Sequence, residues 1–583
     1  AASDVYKRQI YDKNGKLLAY NELAYSISIN DSTTYSSTKE KNKAVNAELA
    51  EILTVLKNNG ETLNNYFKID RKKDGTYSFN VSGSSLNRFR ADVFGKGSAD
   101  DLEYDKETGI DEANATAEQI MEYLMGKDNF GISSKYDGDL AYRIVVVRYA
   151  MLGNRFARYK EVKIATDVSD KTVAYVNEHM DTLSGISVNE DMIRKYNYSE
   201  YFSSIIGYTG PISESEYTAL HKKNKDYTQN DTVGKAGLEQ YYETYLRGKN
   251  GEQKFYIDNV GRISEIISST DSVAGDDLYL SIDADLQKAT YLALQNEIAA
   301  IVYSNIKSGE IPINDVYTAL IGNSVINTEH FSKAKASDTE KNVLSVFKSR
   351  QKTTLGKIKQ ELTSSPEALN TMSDEVLDEF TYIISMLKDD QVLLKNEIDT
   401  SDSVYQKWKN QKISPKEYLS YCITQHWIDI SQLNVDEKYA DSTEVYDALC
   451  KYILKNIKTD TEFSKIIYQY MITRGEISPR QLCLILFDQG VLDYDDATVN
   501  KLKNGSLSPR DFLMKKIYNI EITPAQLALE PCIGSCVVTD EKTGEIRAMV
   551  SYPGYDSNKL ANGVDLSLIH ISESTRPEPI SYA

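Results

Sequence analysis

Residues 276–301 read DDLYLSIDADLQKATYLALQNEIAAI. Leu278, Leu280 and Ile282 alternate, so they share one face of a strand. Asp283 then stands at an N-cap position, and Leu286, Ala289, Ala293 and Ala300 supply the apolar positions of a helix. A strand followed at once by a capped helix predicts the entrance to a new domain. The chain reads differently on its two sides.

Upstream, strands and helices mix. IYDKNGKLLAYNELAYSISIN (10–30) places Asn14-Gly15 between apolar runs, a strong short-range hairpin signal, and then alternates with Tyr25, Ile27 and Ile29 on one face. Residues 40–58, 115–125 and 139–152 read as helices, and 62–98 as short segments joined by Gly and Asn. A strand over 161–168 leads to a helix over 169–180, capped by Ser169 or Asp170, and 185–196 alternates again.

Downstream, over 302–529, glycine becomes rare and one pattern recurs: ISPKEYL (413–419), ISPRQLC (477–483), LSPRDFL (507–513) and ITPAQLA (522–528). The hydroxyl caps a helix, Pro fits its first turn because no N–H is needed there, and Glu417, Gln481, Asp511 and Gln526 take the capping-box position. The irregular spacing makes these helix starts rather than a solenoid repeat. After 530 the period returns to two: SCVVTDEKTGEIRAMVSYP (535–553) reads as a hairpin with Val537 and Thr539 on one strand and Ile546, Ala548 and Val550 on the other. It turns at Glu541-Lys542-Thr543-Gly544. The expected fold class is α+β and multidomain: a mixed α/β domain over 10–275, a second domain starting at 276–301, an inserted α-helical domain over 302–529, and the second domain's first hairpin over 530–565.

Charge limits the functions available. Lys and Arg number 67 against 86 Asp and Glu, a formal charge of −19, and no basic run offers a nucleic-acid surface. No apolar window reaches the length of a membrane span; LAYRIVVVRYAML (140–152) is short and carries Arg143 and Arg148. The five cysteines (Cys422, Cys450, Cys483, Cys532 and Cys536) read as buried or half-buried thiols, and the scattered histidines predict no metal site. The terminal stretches AASDVYKRQ (1–9) and LSLIHISESTRPEPISYA (566–583) resemble translated sequencing-adapter sequence and are set aside from the fold.

Lys542-Thr543-Gly544 raises a chemical question, because Lys-Thr-Gly accompanies Ser-x-x-Lys and Ser-x-Asn in serine enzymes that bind penicillin. The nucleophilic hydroxyl there needs a base within hydrogen-bond reach. Ser-x-x-Lys occurs upstream at Ser36/Lys39, Ser304/Lys307, Ser332/Lys335, Ser345/Lys348 and Ser349/Lys352, a number that chance supplies. Ser-x-Asn falls in alternating stretches at Ser28/Asn30 and Ser187/Asn189. The triplet therefore reads as a polar turn. No catalytic residue, cofactor site or metal site is assigned.

Five segments, in order, resemble the class B penicillin-binding proteins, the peptidoglycan D,D-transpeptidases of bacterial elongation and cell shape, division and sporulation. They are IYDKNGKLLAYN (10–21), IIGYTGPISESEY (205–217), VGKAGLEQYYETYLRGKNGEQKFYIDNVGR (233–262), GDDLYLSIDADLQKATYLAL (275–294) and GSCVVTDEKTGEIRAMVSYPGYDSN (534–558). The third is the most specific, through Gly234, Gly237, Glu239, Arg247, Gly248, Gly251 and Arg262. The resemblance implies that 10–275 is the pedestal, or dimerisation, domain and that 276–301 and 530–565 open a transpeptidase domain truncated before its nucleophile. It also implies an N-terminal membrane anchor missing from this chain, a place on the extracytoplasmic face of the membrane, and inactivity of the chain alone. Peptidoglycan stem peptides, β-lactams and other cell-wall synthesis proteins are the implied partners, and no nucleic acid. A non-catalytic scaffold of the wall machinery is the alternative. Arg247, Arg262 and Glu239 are expected to form an interdomain ion pair.

Overall fold

The computed structural model describes residues 2–3, 7–31, 35–65, 67–72, 75–81, 83–106, 108–153, 161–228, 231–249, 251–257, 263–270, 273–364, 367–433, 435 and 441–561. The fold is α+β and divides into two compact units. One takes the chain up to Leu292 and again from Ser535; the other is Ala293–Gly534. The boundary falls inside the helix Ala284–Ser308, nine residues ahead of the position 302 at which the composition changes.

The first unit is organised by one long strand, Leu17–Ile29. It pairs antiparallel with Ile186–Tyr196 from Ala19↔Tyr196 to Ile29↔Ile186, and with Val162–Thr166 at its C-terminal end. Its N-terminal end pairs with Ile10–Tyr11, which pairs in parallel with Leu278–Tyr279. The first turn forms at Asn14-Gly15. Gly15 sits at φ +79° and the Asp12 carboxylate accepts from the backbone N–H groups of Asn14 and Lys16, each at 2.8 Å. Ile27 and Ile29 point into a core with Leu49, Ile52 and Leu53 of the helix Thr38–Asn58 and Ile144 of the helix Gly138–Gly153. A second core joins Ile10, Leu18 and Tyr196 to Phe202, Ile206 and Leu246, with Ile282 from the 276–301 segment. Within 62–98, read as short segments, Gly83–Val93 is a helix.

The second unit is helical, and its helix starts follow the Ser/Thr-Pro pattern. Ser414, Ser478, Ser508 and Thr523 each accept from the backbone N–H three residues on, at 3.1, 3.3, 3.0 and 3.2 Å. Its interior holds charge. On the helix Asp374–Asp389, Glu375 is 4% exposed and pairs with Arg350 at 2.8 Å and Arg474 at 2.5 Å. One turn along, Glu379 is 2% exposed and its Oε1 has no hydrogen-bond partner among the described residues.

The helix Ala284–Ser308 forms as expected, with the Asp283 carboxylate accepting from the N–H groups of Asp285 and Leu286 at 3.0 and 3.1 Å. Its buried face is another matter. Leu286, Ala289, Ala293 and Ala300 are exposed, whereas Ala284, Gln287, Tyr291, Gln295, Ile298, Val302 and Ile306 are buried. The stripe has helical spacing, but two of its members are glutamines, so a count of apolar residues misplaces it.

Candidate functional site

The hairpin that carries Lys-Thr-Gly consists of Gly534–Thr539 and Ile546–Tyr552. Its turn is held by Asp540, whose carboxylate accepts from the N–H groups of Lys542 and Thr543 at 2.9 and 3.1 Å, and Gly544 takes φ +74°. Residues 541–545 are exposed. The serines and lysines of the Ser-x-x-Lys matches, Ser36/Lys39, Ser304/Lys307, Ser332/Lys335, Ser345/Lys348 and Ser349/Lys352, are exposed as well. Among the described residues no serine hydroxyl is hydrogen-bonded to a lysine amine.

What the sequence motifs build is a buried charged cluster. Glu239, on the short helix Gly237–Tyr241, is completely buried. Its carboxylate pairs with Arg194 Nε at 2.7 Å and with Lys7 Nζ at 3.1 Å. Lys7 also reaches Glu243 at 2.6 Å, and Glu243 accepts the Gly234 N–H at 2.7 Å. Arg194 donates further to the Arg8 carbonyl at 2.9 Å and the Asn21 side chain at 3.2 Å. Burial would raise the Glu239 pKa; the charges of Arg194 and Lys7 outweigh it and hold the group below the usual glutamate value.

The expected ion pair of Glu239 is therefore corrected for Arg247. Arg247 turns to Asp231 at 2.6 Å and lies over the Tyr227 ring at 3.9 Å. Arg262 lies outside the described residues. The partners of Glu239 come from far along the chain, Lys7 from the segment set aside on sequence and Arg194 from the strand Ile186–Tyr196. Residues 7–9 are built into the fold: Arg8 pairs with Asp277 at 3.2 Å and the Gln9 N–H donates to the same carboxylate at 3.0 Å.

The motif glycines make room for this packing. A Cβ at Gly234 would lie 2.0 Å from the Glu239 carbonyl oxygen, and one at Gly237, where φ is +58°, would lie 2.4 Å from the Ile205 carbonyl oxygen. Gly248 takes φ +74°, and Gly251 opens the strand Gly251–Ile257.

Two further attachments were not legible in the motifs. Gln287 is wholly buried; its amide nitrogen donates to the carbonyls of Tyr201 and Met549, each at 2.8 Å, and its oxygen accepts the Met549 N–H at 2.7 Å. One side chain thus stitches the entrance helix to the hairpin and to the helix Ser199–Ile206. Gln287→Leu strands those backbone groups and is expected to cost roughly 1–3 kcal/mol. Urea unfolding checks this, and an unchanged midpoint would contradict it.

The second attachment is the segment after the hairpin. Asn558 closes both backbone groups of Tyr196, accepting its N–H at 2.8 Å and donating to its carbonyl at 2.9 Å. Ser199 donates to Asp556 at 2.8 Å and accepts the Ser557 N–H at 2.6 Å, while Tyr555 donates its hydroxyl to the Ser203 carbonyl at 3.0 Å. The strand edge at Tyr196 is capped by a side-chain amide, which blunts a pairing edge.

Comparison with known proteins agrees with this architecture. Residues 7–280 match the model of the penicillin-binding protein dimerisation domain. The peptidoglycan D,D-transpeptidase MrdA of Salmonella typhimurium is 29% identical over 157 residues, 27% of this chain and 25% of that protein. Penicillin-binding protein 2A of Bacillus subtilis is 35% identical over 136 residues, 23% of this chain and 19% of that protein. The structure of penicillin-binding protein 2B from Streptococcus pneumoniae aligns with a TM-score of 0.31 at 22% identity, covering 54% of this chain and 45% of that one. The matched stretches span a quarter or less of the length of these curated relatives. Residues 7–280 are thus similar to the dimerisation domain of the penicillin-binding proteins. Over these stretches the chain is similar to class B penicillin-binding proteins.

Proposed function

We propose that this chain supplies the pedestal of a peptidoglycan D,D-transpeptidase of cell-wall synthesis. The observation that carries the reading is the match of residues 7–280 to the dimerisation domain. Packing supports it: within the first unit Lys7 ties the N-terminal segment to Glu239 and Glu243, Gln287 ties the start of the entrance helix to the hairpin, and Asn558 ties the segment after the hairpin to Tyr196. On this reading the 276–301 and 530–565 segments belong to a transpeptidase domain, and 302–529 is inserted into it. The whole protein would act on peptidoglycan stem peptides, bind β-lactams, work at the extracytoplasmic face of the membrane through an N-terminal anchor, and meet other wall-synthesis proteins.

Fluorescent penicillin tests this in two arms. The purified chain is expected to take no covalent label, and a labelled serine among the described residues would overturn its inactivity. The same chain extended by the downstream codons of its own gene is expected to label at a single serine. An unlabelled extended protein would sink the transpeptidase reading and leave a scaffold of the wall machinery in its place.

A further inference from the structure

The helical unit carries a feature that a pedestal does not use. A cavity of about 360 Å³ opens between the C-terminal part of the helix Ala284–Ser308 and the helix Pro509–Tyr518. That is within the range of about 300–1,000 Å³ typical of small-molecule sites. Its charged lining is Lys307, Arg510, Lys515 and Asp511. A concave site with three cations and one carboxylate is of the opposite sign to the chain's formal net charge of −19.

The cations are not spent on partners. Lys307 and Lys515 have no ion pair among the described residues. Arg510 donates one N–H to the Ile306 carbonyl at 3.3 Å, which holds the guanidinium at the cavity. The one carboxylate, Asp511, accepts the Ser508 hydroxyl at 2.7 Å and leaves the cations in the majority along the lining. The remaining wall is aromatic: Tyr303 and Tyr518 stand 5.2 Å apart at 60°, and Tyr518 is 60% exposed over a floor made by buried Met514.

Each part selects for a piece of one ligand. Lys and Arg donors lining one cavity match the several oxygens of a phosphoryl group, monoester or diester, better than a single carboxylate. An exposed tyrosine ring beside them offers a flat amphipathic face to a sugar. We infer that this cavity is a binding site for a sugar phosphate, with the phosphoryl group on Lys307, Arg510 and Lys515 and the sugar ring against Tyr518. The same chemistry is presented by a free sugar phosphate and by a phosphate-linked polysaccharide.

Titration calorimetry on the full chain tests this with glucose 1-phosphate, glucose, inorganic phosphate and a purified phosphate-linked wall polysaccharide as probes. Saturable binding of glucose 1-phosphate or of the polysaccharide, weakened by raised salt and stronger than that of glucose or phosphate alone, is the expected result. Binding of the monomer marks a soluble ligand, and binding of the polysaccharide alone marks the polymer. The exposed, unpaired Lys307 and Lys515 can be removed without opening the core, so Lys307→Ala/Lys515→Ala is expected to weaken binding at least about tenfold with an unchanged thermal midpoint. Tyr518→Ala is expected to remove the preference for sugar phosphate over inorganic phosphate. Absence of binding by both phosphorylated probes, equal binding of glucose, or full binding by the double variant overturns the inference.

Discussion

Glu239→Gln is expected to destabilise the unit built on the Leu17–Ile29 sheet by about 3–5 kcal/mol, because it leaves buried cations without their counter-charge. Glutamine keeps the shape of the side chain, so the loss reports charge rather than volume. Lys7 retains Glu243 in the variant, while Arg194 loses its carboxylate partner. A second substitution, Arg194→Met, is therefore expected to return part of the loss in the double variant. Urea unfolding of the three variants supplies the cycle; a single-variant cost under about 1 kcal/mol would mean that the cluster is hydrated. The pH dependence has a definite sign. The Glu239 pKa is depressed on folding, so its contribution is present above its unfolded pKa near 4.5 and is lost as the pH falls.

Glu379 in the helical unit is expected to behave in the opposite way. Burial, and then the neighbouring Glu375, push its pKa up to about 8 against the partial relief given by Arg350 and Lys357. Below about pH 4.5 the carboxyl is protonated in both folded and unfolded chains and costs nothing. As the pH climbs towards 8 the unfolded chain ionises and the folded one resists, so stability is lost across that window. The loss between pH 5 and pH 8 is on the order of 3 kcal/mol. Glu379→Gln is expected to remove this pH dependence and to raise the thermal midpoint at pH 8 while leaving it nearly unchanged at pH 5. Scanning calorimetry of variant and parent at the two pH values measures it. A parallel shift at both would show that Glu379 ionises freely in the folded chain.

The two glutamates also mark the limit of sequence reading. Glu239 was singled out because of its surroundings in VGKAGLEQ, and its importance was legible. Its partners were not, since Lys7 lies 232 residues away in a segment set aside as adapter-like, and Arg194 sits on a strand where a charge reads as a solvent-facing position. Glu379 gave no signal at all; a glutamate on an amphipathic helix is ordinarily solvated. Gln287 was hidden for a related reason. Its spacing places it on the buried stripe, but its polarity removed it from the count.

Local chemistry was enough for many of the elements and their ends, though not for the helix Gly83–Val93. The hydroxyl–proline helix starts, the Asn14-Gly15 and Lys542-Thr543-Gly544 turns, and the change of period from two to helical and back are properties of neighbouring residues, and each appears in the structure. The α+β class follows from them. Tertiary structure alone decided which charges are buried, which partner each takes and which helix face turns inward. Those outcomes depend on desolvation and long-range pairing, which act between residues hundreds of positions apart and leave no period in the sequence.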